Sequence, residues 1–206
     1  MDKKEELDKL KREAIEADLP LKSGATQMVF GDGNIGSSLF FLGEAPGFFE
    51  DQKGIPFVGR AGKLLNETLE GIGIRRLEIW ISNIIYYRPP ENRDPSPEEI
   101  EAFKIFVDRQ IEIIDPKIIV TLGRFSMAKF GSGMKISQVH GKPRWILFNQ
   151  KKRVLIPMYH PAAALRSTNL LNAFKSDFDN IPKVITKIEN MVLESKKGNS
   201  EQITLF

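Results

Sequence analysis

Cysteine is absent from this sequence of 206 residues, and histidine occurs only as His140 and His160. The first absence excludes disulfide bonds, thiolate nucleophiles, and iron–sulfur or zinc centres held by cysteine. The second leaves little scope for a metal site built from histidine. Long apolar runs are also missing, since none approaches the roughly 20 residues that span a bilayer. Because the charged N-terminus leads into no apolar segment, we do not expect a secretion signal.

Hydrophobic residues make up 41% of the chain, and the formal net charge is +3. This composition is ordinary for a globular protein, and the length fits one domain, which we place at residues 1–195. The remaining residues, 196–206, begin as a polar stretch and are expected to form a flexible tail. The mildly basic charge is compatible with a nucleic-acid partner without requiring one.

Strand-like and helix-like patterns alternate along the chain, which is typical of a parallel sheet covered by helices. The patterns predict helices over residues 2–17, 61–71, 96–114, 124–130 and 170–194. Strands are predicted over Ser38–Leu42, Ile79–Ile85, Lys117–Leu122 and a hairpin-like pair, Trp145–Phe148 with Val154–Pro157, and a further short strand over Gln27–Phe30. The expected fold is a three-layer α/β/α domain with a central, mostly parallel four-stranded sheet.

Three polar residues lie at or near the carboxyl ends of predicted strands: Glu44, Asn83 and His160. Ligands of open α/β sheets bind beyond these ends, so the three side chains are expected to line one crevice. A carboxylate, an amide and an imidazole that meet in a crevice make it a candidate active site.

The residues around these positions form blocks in a distinctive order. The blocks are Gly43-Glu44-Ala45-Pro46-Gly47, Glu50-Asp51, Gly54-Ile55-Pro56-Phe57-Val58-Gly59-Arg60-Ala61-Gly62, Asn83 with Arg88-Pro89-Pro90-Glu91-Asn92-Arg93, and His160-Pro161-Ala162. Together they resemble the uracil-DNA glycosylase superfamily, and specifically its family 4, over about residues 28–166.

This resemblance implies a monofunctional N-glycosyl hydrolase of base excision repair. Such an enzyme flips uracil out of DNA and hydrolyses its N-glycosidic bond, which leaves an abasic site. A monomer that acts on DNA in the cytoplasm of a prokaryotic cell is expected. Two alternatives stay open: a non-catalytic DNA-binding relative that kept the pocket, and a glycosylase for another deaminated or alkylated base.

The catalytic residues that the resemblance implies are Glu44, Glu50 and His160. His160 is expected to donate to uracil O2 as negative charge develops there, unless it is a core histidine bonded to a carbonyl. Glu44 is expected to position the attacking water or stabilise the sugar cation, unless it caps a helix or forms a salt bridge. Glu50 is expected to line the pocket where a thymine methyl would collide and to assist the water. Asp51 is expected to be structural, and His140 is expected to be structural or to lie on the surface.

The uracil-binding residues that the resemblance implies are Ala45, Phe57, Asn83 and His160. Asn83 is expected to accept from N3 and donate to O4 of uracil, a pattern that cytosine reverses. Phe57 is expected to stack on the extruded base. Ala45 stands where other superfamily branches have an Asp or Asn that binds water, so that task falls to Glu44. A turn-forming asparagine and a core phenylalanine are the plainer alternatives.

Three segments are expected to hold DNA. The helix that follows Gly59 offers backbone N–H groups to a phosphate, unless it is only a tight packing turn. A Pro-rich basic loop is expected to follow the DNA backbone, unless it is merely solvated. After His160, either Leu165 or Arg166 is expected to wedge into the gap that the flipped nucleotide leaves. The DNA-binding set is Gly59, Arg60, Gly62, Lys63, Arg88, Asn92, Arg93, Ala164, Leu165 and Arg166.

The sequence departs from the family pattern in one respect. Family members usually hold a four-iron, four-sulfur cluster on four cysteines, whose positions correspond by spacing to Glu16, Leu19, Tyr87 and Phe103. None of these side chains can ligate such a cluster. We therefore expect no cofactor, and we expect an apolar plug to fill the space by packing.

The chain ends in Gln202-Ile203-Thr204-Leu205-Phe206. This ending resembles the short Gln-x-x-Leu-Phe peptide by which bacterial repair and replication proteins bind the sliding clamp. Gln202, Leu205 and Phe206 would then contact the clamp. The alternative is an end that docks on its own domain.

Overall fold

The structure is a computed structural model that describes residues 2–131 and 133–196. Its helices are α1 Lys3–Glu16, α2 Phe48–Lys53, α3 Arg60–Gly71, α4 Pro97–Ile114, α5 Arg124–Ala128, α6 Ile136–Val139, α7 Pro161–Ala164, α8 Thr168–Phe178 and α9 Ile181–Lys196. Its strands are β1 Asp32–Gly33, β2 Leu39–Gly43, β3 Trp80–Asn83, β4 Ile118–Leu122, β5 Arg144–Phe148 and β6 Lys151–Met158. Short 3₁₀ turns occupy Lys22–Gly24, Arg76–Glu78 and Pro90–Asn92. The clamp-binding peptide predicted at 202–206 lies outside the described residues.

The strands form one mixed sheet in the order β1-β3-β2-β4-β6-β5. The central strands β3, β2, β4 and β6 run parallel, and β1 and β5 pair antiparallel at the two edges. Central parallel strands are covered on both faces, which explains why every residue of β2 and β4 is buried. The predicted α/β class is therefore confirmed, but the predicted count of four strands is wrong. Both strands of the hairpin join the sheet, and the two-residue β1 extends its other edge.

The short strand predicted over Gln27–Phe30 is also wrong, although Met28, Val29 and Phe30 are buried. Val29 donates one backbone hydrogen bond to the carbonyl of Tyr86, at 2.8 Å. The carbonyl of Phe30 instead accepts from the side chains of Ser82 and Gln110, each at 2.8 Å. Side-chain donors thus take the place of a strand ladder here.

Apolar side chains cover the sheet on both faces and give the predicted three layers. On one face, Leu65 of α3, Phe174 of α8 and Ile181 of α9 belong to one buried cluster. On the other face, Leu10 of α1 and Phe103 of α4 belong to a second cluster. The alternating side-chain directions of the strands supply both clusters.

Helix α4 begins as the sequence predicts. The Ser96 side chain accepts from the backbone N–H of Glu99 at 3.2 Å, and the Glu99 carboxylate accepts from the backbone N–H of Ser96 at 2.8 Å. Pro97 occupies the first turn, where its missing N–H costs no hydrogen bond. The helix ends at Asp115, whose φ of 52° lies in the left-handed region.

The long helix predicted over residues 170–194 is wrong, because the structure has two helices there. Helix α8 ends at Phe178 and α9 begins at Ile181. Pro182 lies in the first turn of α9 and has no N–H to continue α8. Helices α2 and α6 were also not predicted, since each spans less than two turns. No helix in the described part of the chain is both long and apolar enough to cross a membrane.

Candidate active site

The carboxyl ends of the parallel strands lie side by side. Gly43 at the end of β2 is in register with Asn83 at the end of β3. On the other side, Leu122 of β4 is in register with Met158 of β6. A Cβ atom on Gly123 would lie 3.1 Å from Cβ of His160, so the ends of β4 and β6 remain close beyond the sheet. The register thus places the carboxyl ends of the parallel strands along one edge of the sheet.

Asn83 and the ring of Phe57 meet over Gly43. A Cβ atom on Gly43 would lie 2.4 Å from Oδ1 of Asn83 and 2.5 Å from Cζ of Phe57, so only glycine fits between them. The Oδ1 atom of Asn83 is fully buried and has no hydrogen-bond partner in the part of the chain that the structure describes. A buried acceptor without a donor is costly to a folded protein, so a ligand that donates to Oδ1 of Asn83 would recover this cost.

Phe57 is held in an unusual backbone conformation, with a φ of 54°. Its carbonyl packs so tightly against α3 that a Cβ atom on Gly62 would lie 1.8 Å from the Phe57 oxygen. The guanidinium of Arg76 donates to the carbonyls of Pro56, at 2.5 Å, and Phe57, at 3.5 Å. A bulky residue at positive φ is strained, and strain of this kind persists only where surrounding contacts enforce it.

Glu50 anchors the same loop from its other side. Its Oε1 atom accepts from the backbone N–H groups of Val58 and Gly59, each at 2.8 Å. This carboxylate therefore shapes the turn between Phe57 and α3. The predicted structural role of Asp51 agrees with its place, since it is buried and accepts from the backbone N–H of Thr26 at 2.9 Å.

His160 begins helix α7 and faces Phe57. The two ring centroids are 5.9 Å apart with an interplanar angle of 35°. Nδ1 of His160 accepts from the backbone N–H of Ala162 at 3.1 Å, so a neutral ring carries its proton on Nε2. Burial lowers the pKa of His160 to about 4, and the nearby positive charge of Arg166 adds to this shift. The ring is therefore a neutral donor near pH 7.

Glu44 follows Gly43 directly at the end of β2, and its side chain is partly buried. Burial raises the pKa of Glu44 to about 7, and the negative charge of Asp94 adds to the increase while Arg124 opposes it. The carboxyl group is therefore poised between its two protonation states near neutral pH, as general bases often are. The adjacent Ala45 is partly buried and packs against the cluster that contains Phe103.

Of the residues predicted to hold DNA at the start of α3, Arg60 and Lys63 are exposed, whereas Gly59 is partly buried and Gly62 is buried. Arg60 and Lys63 project from the first turn, and Lys63 lies 3.8 Å from Glu67. The backbone N–H of Gly59 is already bonded to Glu50, so it is not available to a phosphate. Gly62 is buried against Phe57 and permits this close approach.

The predicted basic loop is tied to itself and to α4. Nε of Arg88 donates to the Asn92 side chain at 2.8 Å, and its guanidinium lies 5.3 Å from the ring centroid of Phe48. Arg93 forms two hydrogen bonds with the carboxylate of Glu99, at 2.5 and 2.8 Å. The charge of Arg93 is therefore largely balanced within the protein.

The segment after His160 turns out to be the short helix α7 rather than a loop. Ala164 is only 1% exposed and packs in the core, so the prediction that it contacts DNA is wrong. Leu165 is 41% exposed, and Arg166 is exposed as well. Both remaining candidates for the wedge are thus on the surface next to His160.

Two groups at the site were not found from the sequence. Arg76, which holds the Phe57 loop, comes from a turn 19 residues later, and nothing local marks it. Asp177 of α8 lies 2.7 Å from Nδ1 of His140, whose ring packs 4.4 Å from that of Tyr159, the neighbour of His160. His140, expected to be structural or on the surface, is thus held by a partner 37 positions away in the chain.

The positions that correspond to cluster ligands in the resembled family do not fit an iron–sulfur cluster. Leu19, Tyr87 and Phe103 are buried in one apolar cluster, and the rings of Tyr87 and Phe103 lie 6.1 Å apart. Glu16, the remaining position, is exposed. Thiolates hold such clusters, and these four side chains offer none. Among the described residues, no group of three or more His, Cys, Asp or Glu side chains is placed to hold a metal ion.

At the carboxyl ends of the strands, an amide acceptor without a donor among the described residues, an aromatic ring and a neutral imidazole donor lie close together. These groups suit a planar heterocycle with polar edges. The family-level comparison agrees with this class of site. The profile of the Uracil DNA glycosylase superfamily matches residues 30–181, and the chain belongs to that superfamily.

Three named relatives show which type of uracil-DNA glycosylase this chain is similar to. The chain is 43% identical over 182 residues to the "Type-4 uracil-DNA glycosylase" of Sulfurisphaera tokodaii, covering 85% of this chain and 83% of that protein. It is 43% identical over 190 residues to the protein of the same name from Archaeoglobus fulgidus, covering 89% of this chain and 95% of that protein. It is 45% identical over 150 residues to the protein of that name from Thermotoga maritima, covering 72% of this chain and 77% of that protein.

Proposed function

We propose that this protein is a type-4 uracil-DNA glycosylase of base excision repair that hydrolyses the N-glycosidic bond of deoxyuridine in DNA. The observation that carries the proposal is the buried Oδ1 of Asn83, which has no hydrogen-bond partner among the described residues and lies close to the ring of Phe57, which in turn faces His160. The superfamily match and the named relatives agree with it. The activity is assigned to a monomer with one catalytic domain and no resident cofactor.

Recognition of the base rests on Asn83 and Phe57. Oδ1 of Asn83 accepts from N3–H of uracil, and its amide nitrogen donates to O4. Cytosine presents an acceptor at N3 and a donor at C4, so both contacts would be lost and the buried acceptor would stay unpaired. The ring of Phe57 stacks on the face of the extruded base, in the position that Gly62 and Arg76 enforce.

Departure of the base rests on His160. Nε2–H donates to uracil O2, where negative charge grows as the glycosidic bond breaks. Because the ring is already neutral with Nδ1 bonded, this donor needs no rearrangement in the transition state. A single donor of this kind is worth about 2.7–4 kcal/mol.

Attack on the sugar rests on Glu44. Its ionised form stabilises the oxocarbenium character of the sugar and orients the water that completes hydrolysis. Glu50, whose Oε1 is bonded to two backbone groups, acts by holding the pocket wall rather than by proton transfer. Arg60, Lys63 and Arg88 hold the phosphates of the extruded strand, and Leu165 or Arg166 fills the vacated space.

Release of free uracil from a single-uracil oligonucleotide, in single- and double-stranded form, tests the proposal. His160→Ala and Asn83→Ala should each lower the rate of uracil release by roughly a hundredfold or more, as loss of a transition-state donor does. Asn172→Ala, an exposed change on α8, is the control and should leave the rate unchanged. Unchanged rates in both site variants would reject this site.

Competing substrates separate the alternatives. A non-catalytic relative would bind the oligonucleotide but release no base. A glycosylase for another lesion would release hypoxanthine, or thymine opposite guanine, faster than uracil.

A further inference from the structure

Two adjacent phenylalanines at the start of α2 are exposed next to the candidate active site. Phe48 is 51% exposed and Phe49 is 54% exposed, whereas the other described phenylalanines are buried or only partly exposed. They follow the Gly43-Glu44-Ala45-Pro46-Gly47 segment directly, so they flank the catalytic carboxylate in the chain. Exposed apolar side chains in a group commonly mark an interaction surface.

The two rings are fixed relative to each other and to their neighbours. Their centroids are 5.5 Å apart at an interplanar angle of 81°, an edge-to-face arrangement. Phe49 lies against the turn that begins α3, because a Cβ atom on Gly59 would be 3.4 Å from its Cδ2 atom. The Arg88 guanidinium lies 5.3 Å from the ring centroid of Phe48. The pair thus connects the two surfaces assigned to the DNA backbone.

The surroundings favour a polyanion with flat apolar groups. Arg88 is next to Phe48, and Arg60 and Lys63 project from the α3 turn that Phe49 touches. Aromatic side chains interleaved with cations are the usual means by which proteins bind single-stranded nucleic acid.

We propose that Phe48 and Phe49 form a stacking shelf for an unpaired nucleobase next to the extruded uracil in the same strand. This inference rests on the proposed function. In a duplex, the neighbouring bases keep their partners and their stacks, so the shelf has little to bind. In single-stranded DNA the neighbouring base is free, and stacking on the shelf replaces the missing partner strand.

The test compares the double variant Phe48→Ala/Phe49→Ala with the unmodified protein on single- and double-stranded uracil oligonucleotides. The KM for the single strand should rise about tenfold while kcat changes less than twofold, which is the loss expected when one stacked base is released. The KM for the duplex should change less than threefold. Phe48→Tyr/Phe49→Tyr keeps both rings and should restore the single-strand KM.

A second substrate isolates the stacked base. Single strands with an abasic analogue on the 5′ or the 3′ side of the uracil have no base to stack on one side. On one of these strands the unmodified protein should show the same tenfold rise in KM, and the double variant should show no further rise. If the KM of the double variant exceeded that of the unmodified protein by the same factor on intact and abasic strands, the shelf would be overturned.

Two controls keep the outcomes distinct. Ile105→Ala removes a 60% exposed apolar side chain from α4 and should leave both KM values unchanged. Because both phenylalanines are exposed, the melting temperature of the double variant should match that of the unmodified protein. A protein that releases no uracil would reject the proposed function itself, whereas normal release with an unchanged single-strand KM would reject only the shelf.

Discussion

Glu44 sets the pH range in which the protein is expected to work. Its pKa is raised to about 7, mainly by burial, while the pKa of His160 is lowered to about 4. If the Glu44 carboxylate acts in its ionised form, kcat/KM should rise about tenfold per pH unit below 7 and level off above it. His160 remains neutral throughout this range. The pH profile of uracil release checks this.

Glu44→Gln supplies the control for this profile. The variant should be slow and should lose the inflection near pH 7. It also has a stability consequence, because the folded protein holds the Glu44 proton more tightly than the unfolded chain does. The contribution of the Glu44 proton to the free energy of unfolding is complete below pH 4.5 and is lost as the pH rises through about 7. Between pH 4.5 and 8, the stability of the variant relative to that of the unmodified protein should therefore increase. A pH–rate profile of the variant that keeps the inflection would contradict the role of Glu44.

At the scale of elements, the conformation of the loop that carries Phe57 is held by residues of other elements. Gly62 of α3 makes room for it, Glu50 of α2 bonds its end, and Arg76 reaches its carbonyls from the turn before β3. These contacts hold Phe57 at positive φ, where it would not rest unaided. The pocket therefore depends on three elements that are packed against each other.

Arg76 is expected to be a positioning residue for this loop. Arg76→Met should raise the KM for DNA and weaken inhibition by free uracil about tenfold, because the stacking ring is no longer held in place. Arg75→Met is the matched control, since Arg75 is 76% exposed and pairs only with Glu78 among the described contacts. Equal effects of the two variants on uracil inhibition would contradict the positioning role, and melting curves would show whether either variant unfolds.

Sequence alone could predict the elements with strong local signals. The helix over residues 96–114 and the apolar runs of β2 and β4 were of this kind, and the structure confirms them. What it could not predict depends on tertiary partners. The edge strand β1 exists only through pairing with β3, and Arg76 meets the Phe57 loop only after folding. The site was predicted from residues at strand ends, but burial of Ala164 and the bonded N–H of Gly59 became visible only in three dimensions.

At the scale of the whole molecule, the layer formed by α1 and α4 is packed by aromatic side chains. Phe103 is fully buried, and its ring lies 5.5 Å from that of Tyr86 and 6.1 Å from that of Tyr87. Leu19 belongs to the same cluster. Hydrophobic packing thus joins the N-terminal helix to the rest of the fold.

Phe103→Ala is expected to lower the free energy of unfolding by about 3–5 kcal/mol, as removal of a buried aromatic ring does. Phe106→Ala, a partly buried change on the same helix, should cost much less. An iron chelator should leave the melting temperature unchanged, and the purified protein should be colourless. Visible absorbance from a tightly bound cluster, or a large shift with chelator, would contradict stabilisation by packing alone.

The first turn of α7 has a consequence for the speed of the reaction. The Ala162 N–H that initiates this helix also selects which nitrogen of the His160 ring bears hydrogen. Helix initiation, rather than contact with substrate, therefore chooses between the two tautomers. In the proposed mechanism, each newly met strand of DNA therefore encounters a ring that is already in the required form, and no proton has to migrate around the imidazole before the bond breaks.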